Sequence, residues 1–264
     1  MLLVDIGNSM IEWSVLDTSG REHVGRAPRP VTRFEEFFER HWRVWAGGAR
    51  VYVSNVADSQ IVTALEKWMG RHGEGQVELI RAQPEAFGLV NGYENPSQLG
   101  SDRWLAMIAA SRLTEAPFGV IDCGTAITAD IVDEQRRHLG GLIAPGLAML
   151  GQSLEARTAD TNISIPGARV AVPSWSFRGR TTEQAVCFGV LTMVLAFVER
   201  VQEVLQQQFG TAARCFVTGG DAAVLRPHLR AGVEFVPSLV LQGLKRVAVE
   251  RERCRGESGP DERG

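Results

Sequence analysis

Four short stretches of this 264-residue chain hold residue types suited to handling anions. Asp5-Ile6-Gly7-Asn8-Ser9 and Asp122-Cys123-Gly124-Thr125-Ala126 share one order: a carboxylate, an apolar or thiol residue, a glycine, then a small polar residue. Glycine lets the backbone approach an anion closely, and its amide can donate to phosphate oxygens. Asn8, Ser9 and Thr125 add uncharged donors, whereas the Asp carboxylates would repel phosphate unless a cation lay between them. Gly100-Ser101-Asp102-Arg103 heads a helical stretch, where backbone amides attract anions and Arg103 offers a planar fork for phosphate or carboxylate. Asp102 could accept a proton from a substrate hydroxyl, or serve only as a first-turn helix residue. Gly219-Gly220-Asp221 follows an apolar run and is either a plain strand-to-helix turn or a bare-backbone seat for a base or ribose.

The elements that must position these turns alternate between strand and helix. Patterning predicts strands over 2–5 and 11–16 around Gly7-Asn8, a helix with an aromatic stripe over 34–45, a strand over 50–54, a helix over 61–69 and a strand over 76–80. The stripe of Phe34, Phe37, Phe38, His41, Trp42 and Trp45 reads as core packing. Pro84 to Gly100 reads as a loop, followed by a helix over 101–113. The second half opens with strands over 118–121, 127–132 and 138–144, then a helix over 147–154 and an irregular stretch over 158–180, a candidate substrate loop. A long helix over 182–208 starts at a capping-box pattern, Thr181 with Gln184. A strand over 215–218, a helix over 222–229, a strand over 233–236 and a closing helix over 237–249 complete the pattern. The charged tail 251–264 is expected to be frayed.

Asp5 and Asp122 stand 117 residues apart, each at the end of the first strand of its half. This echo predicts a duplicated α/β domain, with halves at 1–115 and 116–250. The length, at roughly 150 residues per domain, agrees with two.

Composition narrows the chemistry. The net charge of −3 argues against nucleic acid or an anionic membrane as a main partner. The four cysteines are scattered, without metal-ligand spacing, which disfavours structural zinc and a disulfide framework and suits a reducing compartment. No signal peptide is read in the opening residues, and no run is read as approaching the roughly 20 apolar residues of a membrane span. Only two of the 28 basic residues are lysines, Lys67 and Lys245, and neither sits in a Walker A or protein-kinase context. Any nucleotide would have to be held by another scaffold.

Taken in order, Asp5-x-Gly7-Asn8-Ser9, Gly100-x-Asp102-Arg103-Trp104, Asp122-x-Gly124-Thr125-Ala126 and Gly140-Gly141-x-Ile143-x-Pro145-Gly146 resemble the type III pantothenate kinases over residues 1 to about 249. The resemblance implies the fold of acetate and sugar kinases and actin: two ribonuclease-H-like domains with a nucleotide cleft between them. It also implies ATP-dependent phosphorylation of pantothenate, with Asp5, Gly7, Asn8, Ser9, Glu12, Thr125, Gly219 and Gly220 on the ATP side. Tyr93, Gly100, Ser101, Asp102, Arg103 and Thr182 would bind pantothenate, with Asp102 as general base. Asp122 would hold a monovalent cation, potassium or ammonium, and Asp5 would hold magnesium through water. A cytoplasmic homodimer without nucleic acid or membrane partners is the implied setting. Glu12 departs from the pattern, since many relatives carry a basic residue there; a carboxylate cannot neutralise ATP, though it could hold magnesium through water. A Bvg-accessory-factor-like regulator acting through a protein partner, or another small-molecule kinase on this fold, stay open as alternatives.

Overall fold

The computed structural model describes residues 1–17, 21–45, 47, 50–73, 75–155 and 178–257. Leu2–Ile6 (β1) and Met10–Leu16 (β2) form an antiparallel hairpin; β1 is a nearly unbroken apolar run, and β2 buries Ile11, Trp13 and Val15. Glu22–Pro28 (β3) pairs with β2, while Val51–Asn55 (β4) runs parallel to β1 and Val77–Ile80 (β5) parallel to β4. The sheet order is β3-β2-β1-β4-β5. The strand β3 has no counterpart among the expected elements. Its residues are charged, small or half-exposed, so the pattern lacks the apolar alternation that marks a buried strand.

Phe34–Trp42 (α1) and Gln60–His72 (α2) supply the core of this first sheet. The aromatic stripe is core, as expected. Phe38 and Trp42 are fully buried and stacked 5.2 Å apart, and Trp13 of β2 meets Trp42 edge-on at 5.9 Å. Truncating one such ring to Ala would cost about 3–5 kcal/mol. The expected loop contains a two-residue hairpin, Glu85–Ala86 (β6) with Leu89–Val90 (β7), before Ser101–Ala110 (α3).

The second half repeats the plan. Phe118–Cys123 (β8), Ala126–Val132 (β9) and His138–Pro145 (β10) form a meander, followed by Leu147–Glu155 (α4) and Thr182–Phe209 (α5). Arg214–Thr218 (β11) pairs parallel with β8, Ala222–Leu225 (α6) follows, and Val233–Phe235 (β12) pairs parallel with β11. The order β10-β9-β8-β11-β12 matches the first sheet strand for strand. The duplication is the one the echo predicts, and each half has the ribonuclease-H-like order that the resemblance implies. The substrate loop expected over 158–180 falls, up to residue 177, outside the described residues.

The long helix begins as its capping pattern predicts. Thr181 Oγ1 accepts from the Gln184 amide at 3.1 Å, and Gln184 Oε1 accepts from the Arg180 amide at 2.9 Å. One expectation is corrected here: α5 is long and apolar enough to cross a membrane. Its buried stripe, Val190, Leu191, Val194, Leu195, Val198, Val201 and Leu205, instead packs with Ile121, Ile127 and Val217 in the core of the second sheet.

The closing helix Leu239–Glu257 (α7) runs past the expected end at residue 249. The tail read as frayed over 251–264 is thus helical to Glu257. Arg251 and Arg255 pair with Glu78 of β5, and Tyr52 of β4 donates to Glu252 at 2.5 Å. Compact units also divide differently from a single boundary near residue 115. One unit comprises residues 1–84, 95–109 and those from 240 on; the other comprises 85–94 and 110–239. Gly243 explains why α7 belongs with the first: its bare Cα lies against the Leu105 backbone of α3, where any Cβ would collide.

Candidate active site

In the first unit, Asp5 is the penultimate residue of β1, flanked in register by Glu12 of β2 and Ser54 of β4. The following turn closes when the Gly7 amide donates to the Met10 carbonyl at 3.0 Å, leaving Asn8 and Ser9 exposed. Two groups from beyond β3 brace it. The Arg29 amide donates to the Ser9 carbonyl at 2.8 Å, and Arg29 Nε donates to the Asn8 carbonyl at 2.8 Å. Glu12 forms an ion pair with Arg26, its cross-strand neighbour on β3, at 3.0 Å.

The head of α3 lies at the same carboxyl edge of this sheet. Ser54 and Ser101 share a buried hydroxyl–hydroxyl hydrogen bond of 3.1 Å. Asp102 is half-buried, and its Oδ1 accepts from the Arg103 amide at 2.8 Å. A Cβ on Gly100 would overlap that same oxygen, which gives the Gly-x-Asp spacing a physical reason. The carboxylate folds back over residue 100, where only glycine leaves room. Arg103 is buried rather than open to solvent. The structure thus brings Asp5, Gly7, Asn8, Ser9 and Glu12 to one sheet edge with Gly100, Ser101, Asp102 and Arg103.

In the second unit, Asp122 is again the penultimate residue of its strand, flanked by Thr128 and Thr218. The Gly124 amide donates to the Ala126 carbonyl at 3.1 Å. Two glycines from elsewhere close on this turn. Gly219 has φ +96°, and a Cβ there would overlap Asp122 Oδ1 and the Cys123 carbonyl; the Asp221 amide donates to that carbonyl at 2.8 Å. A Cβ on Gly146 would overlap the Gly124 and Thr125 carbonyls, and its amide donates to the Thr125 carbonyl at 3.1 Å. Asp122, Gly124, Thr125, Gly146 and Gly219 therefore share one tight cluster, and Gly220 follows Gly219 directly in the chain.

Burial, then the negative charges of Asp122 and Asp221, hold the Cys123 thiol well above its ordinary range. Burial pushes Cys215 to about 12. Both remain neutral thiols at physiological pH and offer no nucleophile. Among the described residues, no group of three His, Cys, Asp or Glu side chains converges as a metal site. Asp122 Oδ1 and the Cys123 carbonyl both pack directly against Gly219, and a carboxylate and a carbonyl are ligand types that suit a hard cation.

Tyr93 and Thr182 stand on other segments of the second unit. Tyr93 follows β7, its amide donating to Asn91 Oδ1 at 3.0 Å and its ring stacked on His138. Thr182 is exposed at the first turn of α5, next to the capping Thr181. Sequence reasoning missed Arg26, Arg29, Ser54 and Thr218, whose places depend on strand pairing. Gly146 carried a visible signal as the end of the Gly-Gly-x-Ile-x-Pro-Gly stretch.

The chain matches the family model described as type III pantothenate kinase over residues 1–204. A type III pantothenate kinase of Nitrosococcus oceani is 35% identical, with 99% of this chain and 98% of that one covered. One from Thiobacillus denitrificans is 32% identical over 94% of this chain and 96% of that one. Among solved structures, a Baf family transcriptional activator from Campylobacter jejuni superposes with a TM-score of 0.60 at 21% identity, covering 96% of this chain and all of that one. The ethanolamine utilization protein EutJ of Carboxydothermus hydrogenoformans superposes at 0.50 with 13% identity, over 92% and 87% of the two chains. Those two likenesses speak to the fold alone.

Proposed function

The chain belongs to the type III pantothenate kinase family, and on that premise we propose how its own residues carry the reaction. The enzyme transfers the γ-phosphoryl group of ATP to the primary hydroxyl of pantothenate, the first step of coenzyme A biosynthesis. The observation that supports the assignment of roles is the pair of equivalent Asp-x-Gly turns at the ends of β1 and β8, on two sheets of identical order.

Asp102 accepts the hydroxyl proton as the substrate oxygen attacks the γ-phosphorus. Tyr93, Gly100, Ser101, Arg103 and Thr182 bind pantothenate. The Gly7, Asn8 and Ser9 turn binds the phosphates through amides and hydroxyls, while Thr125, Gly219 and Gly220 take the remainder of ATP. Magnesium and a monovalent cation, potassium or ammonium, supply charge neutralisation to the transferring group when bound. Asp5 would hold magnesium through water, and Asp122 with the Cys123 carbonyl would hold the monovalent ion. Glu12 does not face the phosphates as a bare charge, because Arg26 pairs with it. Arg29, braced on the turn, restores the positive charge that the loop itself lacks.

A homodimer fits the apolar side chains that β10 and α4 leave exposed: Leu139, Leu142, Ile143 and Met149. Four free cysteines suit the cytoplasm as the working compartment.

The direct test is ATP consumption with pantothenate, with and without potassium. Pantothenate-dependent turnover stimulated by potassium is expected, and Asp122→Asn should abolish the stimulation; no pantothenate-dependent turnover in either condition would sink the reading. Arg29→Gln should raise the KM for ATP about threefold to tenfold, the scale of one half-exposed charge contact, with a shallower salt dependence. An unchanged KM would remove Arg29 from the phosphate site.

A further inference from the structure

His138 opens β10 with its side chain fully buried, and its Nε2 lies 2.9 Å from Oδ1 of the equally buried Asp130 on β9. Strand register explains how they meet. His138 stands opposite Val132 and Gly141 opposite Asp130, so β10 carries one residue more than β9 over this stretch. The bulge passes through Gly140 at φ +106°, a backbone that side chains rarely adopt. The Nε2–H tautomer donates to Oδ1 across this distance. Nδ1 is buried as well and has no hydrogen-bond partner among the described residues.

Sealing a carboxylate and a half-satisfied imidazole in an interior costs more than an apolar pair of the same volume. Core packing therefore gives no reason for this pair, but its neighbour does. The Tyr93 ring lies on the His138 ring, with centroids 5.7 Å apart and planes 17° from parallel. The backbone around Tyr93 is fastened to the same hairpin. The Val90 amide donates to the Arg136 carbonyl at 3.0 Å, and Gly92 is pressed so closely on the His138 carbonyl that no Cβ would fit. The backbone bonds fix where Tyr93 starts; the face of its ring lies along His138, whose own ring is tied to Asp130.

We propose that the Asp130–His138 pair is a positioning device for Tyr93, holding the phenol ring as pantothenate meets it and so setting pantothenate affinity. The proposal rests on Tyr93 being a pantothenate contact. His138 and Asp130 touch neither substrate, so their loss falls on the KM for pantothenate and not on the chemical step or on ATP.

The test is steady-state kinetics of the full-length enzyme, with melting temperatures recorded alongside. His138→Gln keeps an amide to donate to Asp130 but removes the ring. It should raise the KM for pantothenate about threefold to tenfold, the scale of one aromatic stack, with kcat and the KM for ATP within about twofold of the parent. Asp130→Ala should do the same, and Asp130→Asn, which keeps an acceptor for Nε2, should recover most of that loss. In a Tyr93→Ala background, His138→Gln should add nothing further, because both act through one ring. An unchanged KM in folded His138→Gln, or additive effects in the double variant, would overturn the proposal. A Tyr93→Ala enzyme with unchanged pantothenate KM would instead overturn the assignment of Tyr93 itself.

Discussion

Replacing Asp102 with asparagine leaves both substrates bound and slows turnover at least about a hundredfold, the usual contribution of a general base. The change is nearly isosteric. An asparagine Oδ1 can still accept from the Arg103 amide, now 2.8 Å from the carboxylate, and Gly100 still leaves room for the side chain to fold back. What disappears is a site able to take the hydroxyl proton as the oxygen–phosphorus bond forms. The loss should fall on kcat, with the KM for pantothenate and ATP little changed, because an interaction used only in the transition state has been removed. Single-turnover assays beside calorimetric binding of each substrate separate the two quantities. Near-normal turnover would show that the substrate hydroxyl loses its proton elsewhere.

Gly219→Ala should damage the enzyme by a different route. At φ +96° a Cβ meets backbone strain of about 1–2 kcal/mol, and here it also runs into the Asp122 carboxylate and the Cys123 carbonyl. The carboxylate could swing aside, but the carbonyl is backbone and cannot. The turn must move, and with it Asp122, the Asp221 amide bond to Cys123 and the approach of Thr125. The expected result is a loss of at least about 2 kcal/mol of stability, several degrees in melting temperature, together with a more than tenfold weaker response to ATP and potassium. Gly140→Ala is the control for strain alone: its φ of +106° is equally unfavourable, but nothing lies within 4 Å of the added carbon. If the two variants lose the same stability and Gly219→Ala keeps its ATP response, the crowding at Asp122 has no functional weight.

The sequence made the strands that carry the two Asp-x-Gly turns legible because they are short apolar runs ending in Asp, and their repetition disclosed the duplicated fold. What escaped was whatever depends on partners distant in sequence. The strand β3 leaves Glu22 and Arg26 exposed and His23 and Gly25 half-buried, so only its pairing with β2 reveals it. In that pairing Gly25 makes room for the Trp13 indole and Arg26 meets Glu12. The apparent conflict at Glu12 was therefore readable and its resolution was not. The helix expected over 222–229 ends after one turn and tightens to a 3₁₀ turn over Arg226–His228, where Pro227 removes a backbone donor. The charged run after residue 249 suggested solvent. Its arginines stay helical because Glu78 of β5 answers Arg251 and Arg255 from across the first unit, and Glu252 answers Arg255 from the same helix. Of the candidate site, residue types and spacings were visible. The cradle that Gly146 and Gly219 form around the second turn needed coordinates.

The return of α7 to the first unit has a consequence for biogenesis. Every residue of the second unit precedes Val240 in the chain, whereas the first unit lacks its last helix until residues 240–257 have been made. During synthesis the half that begins last is the half that can finish first. The nascent N-terminal sheet must wait with the α3 surface that Gly243 will cover still open, and for that interval it is the part of the chain that a chaperone or protease would meet.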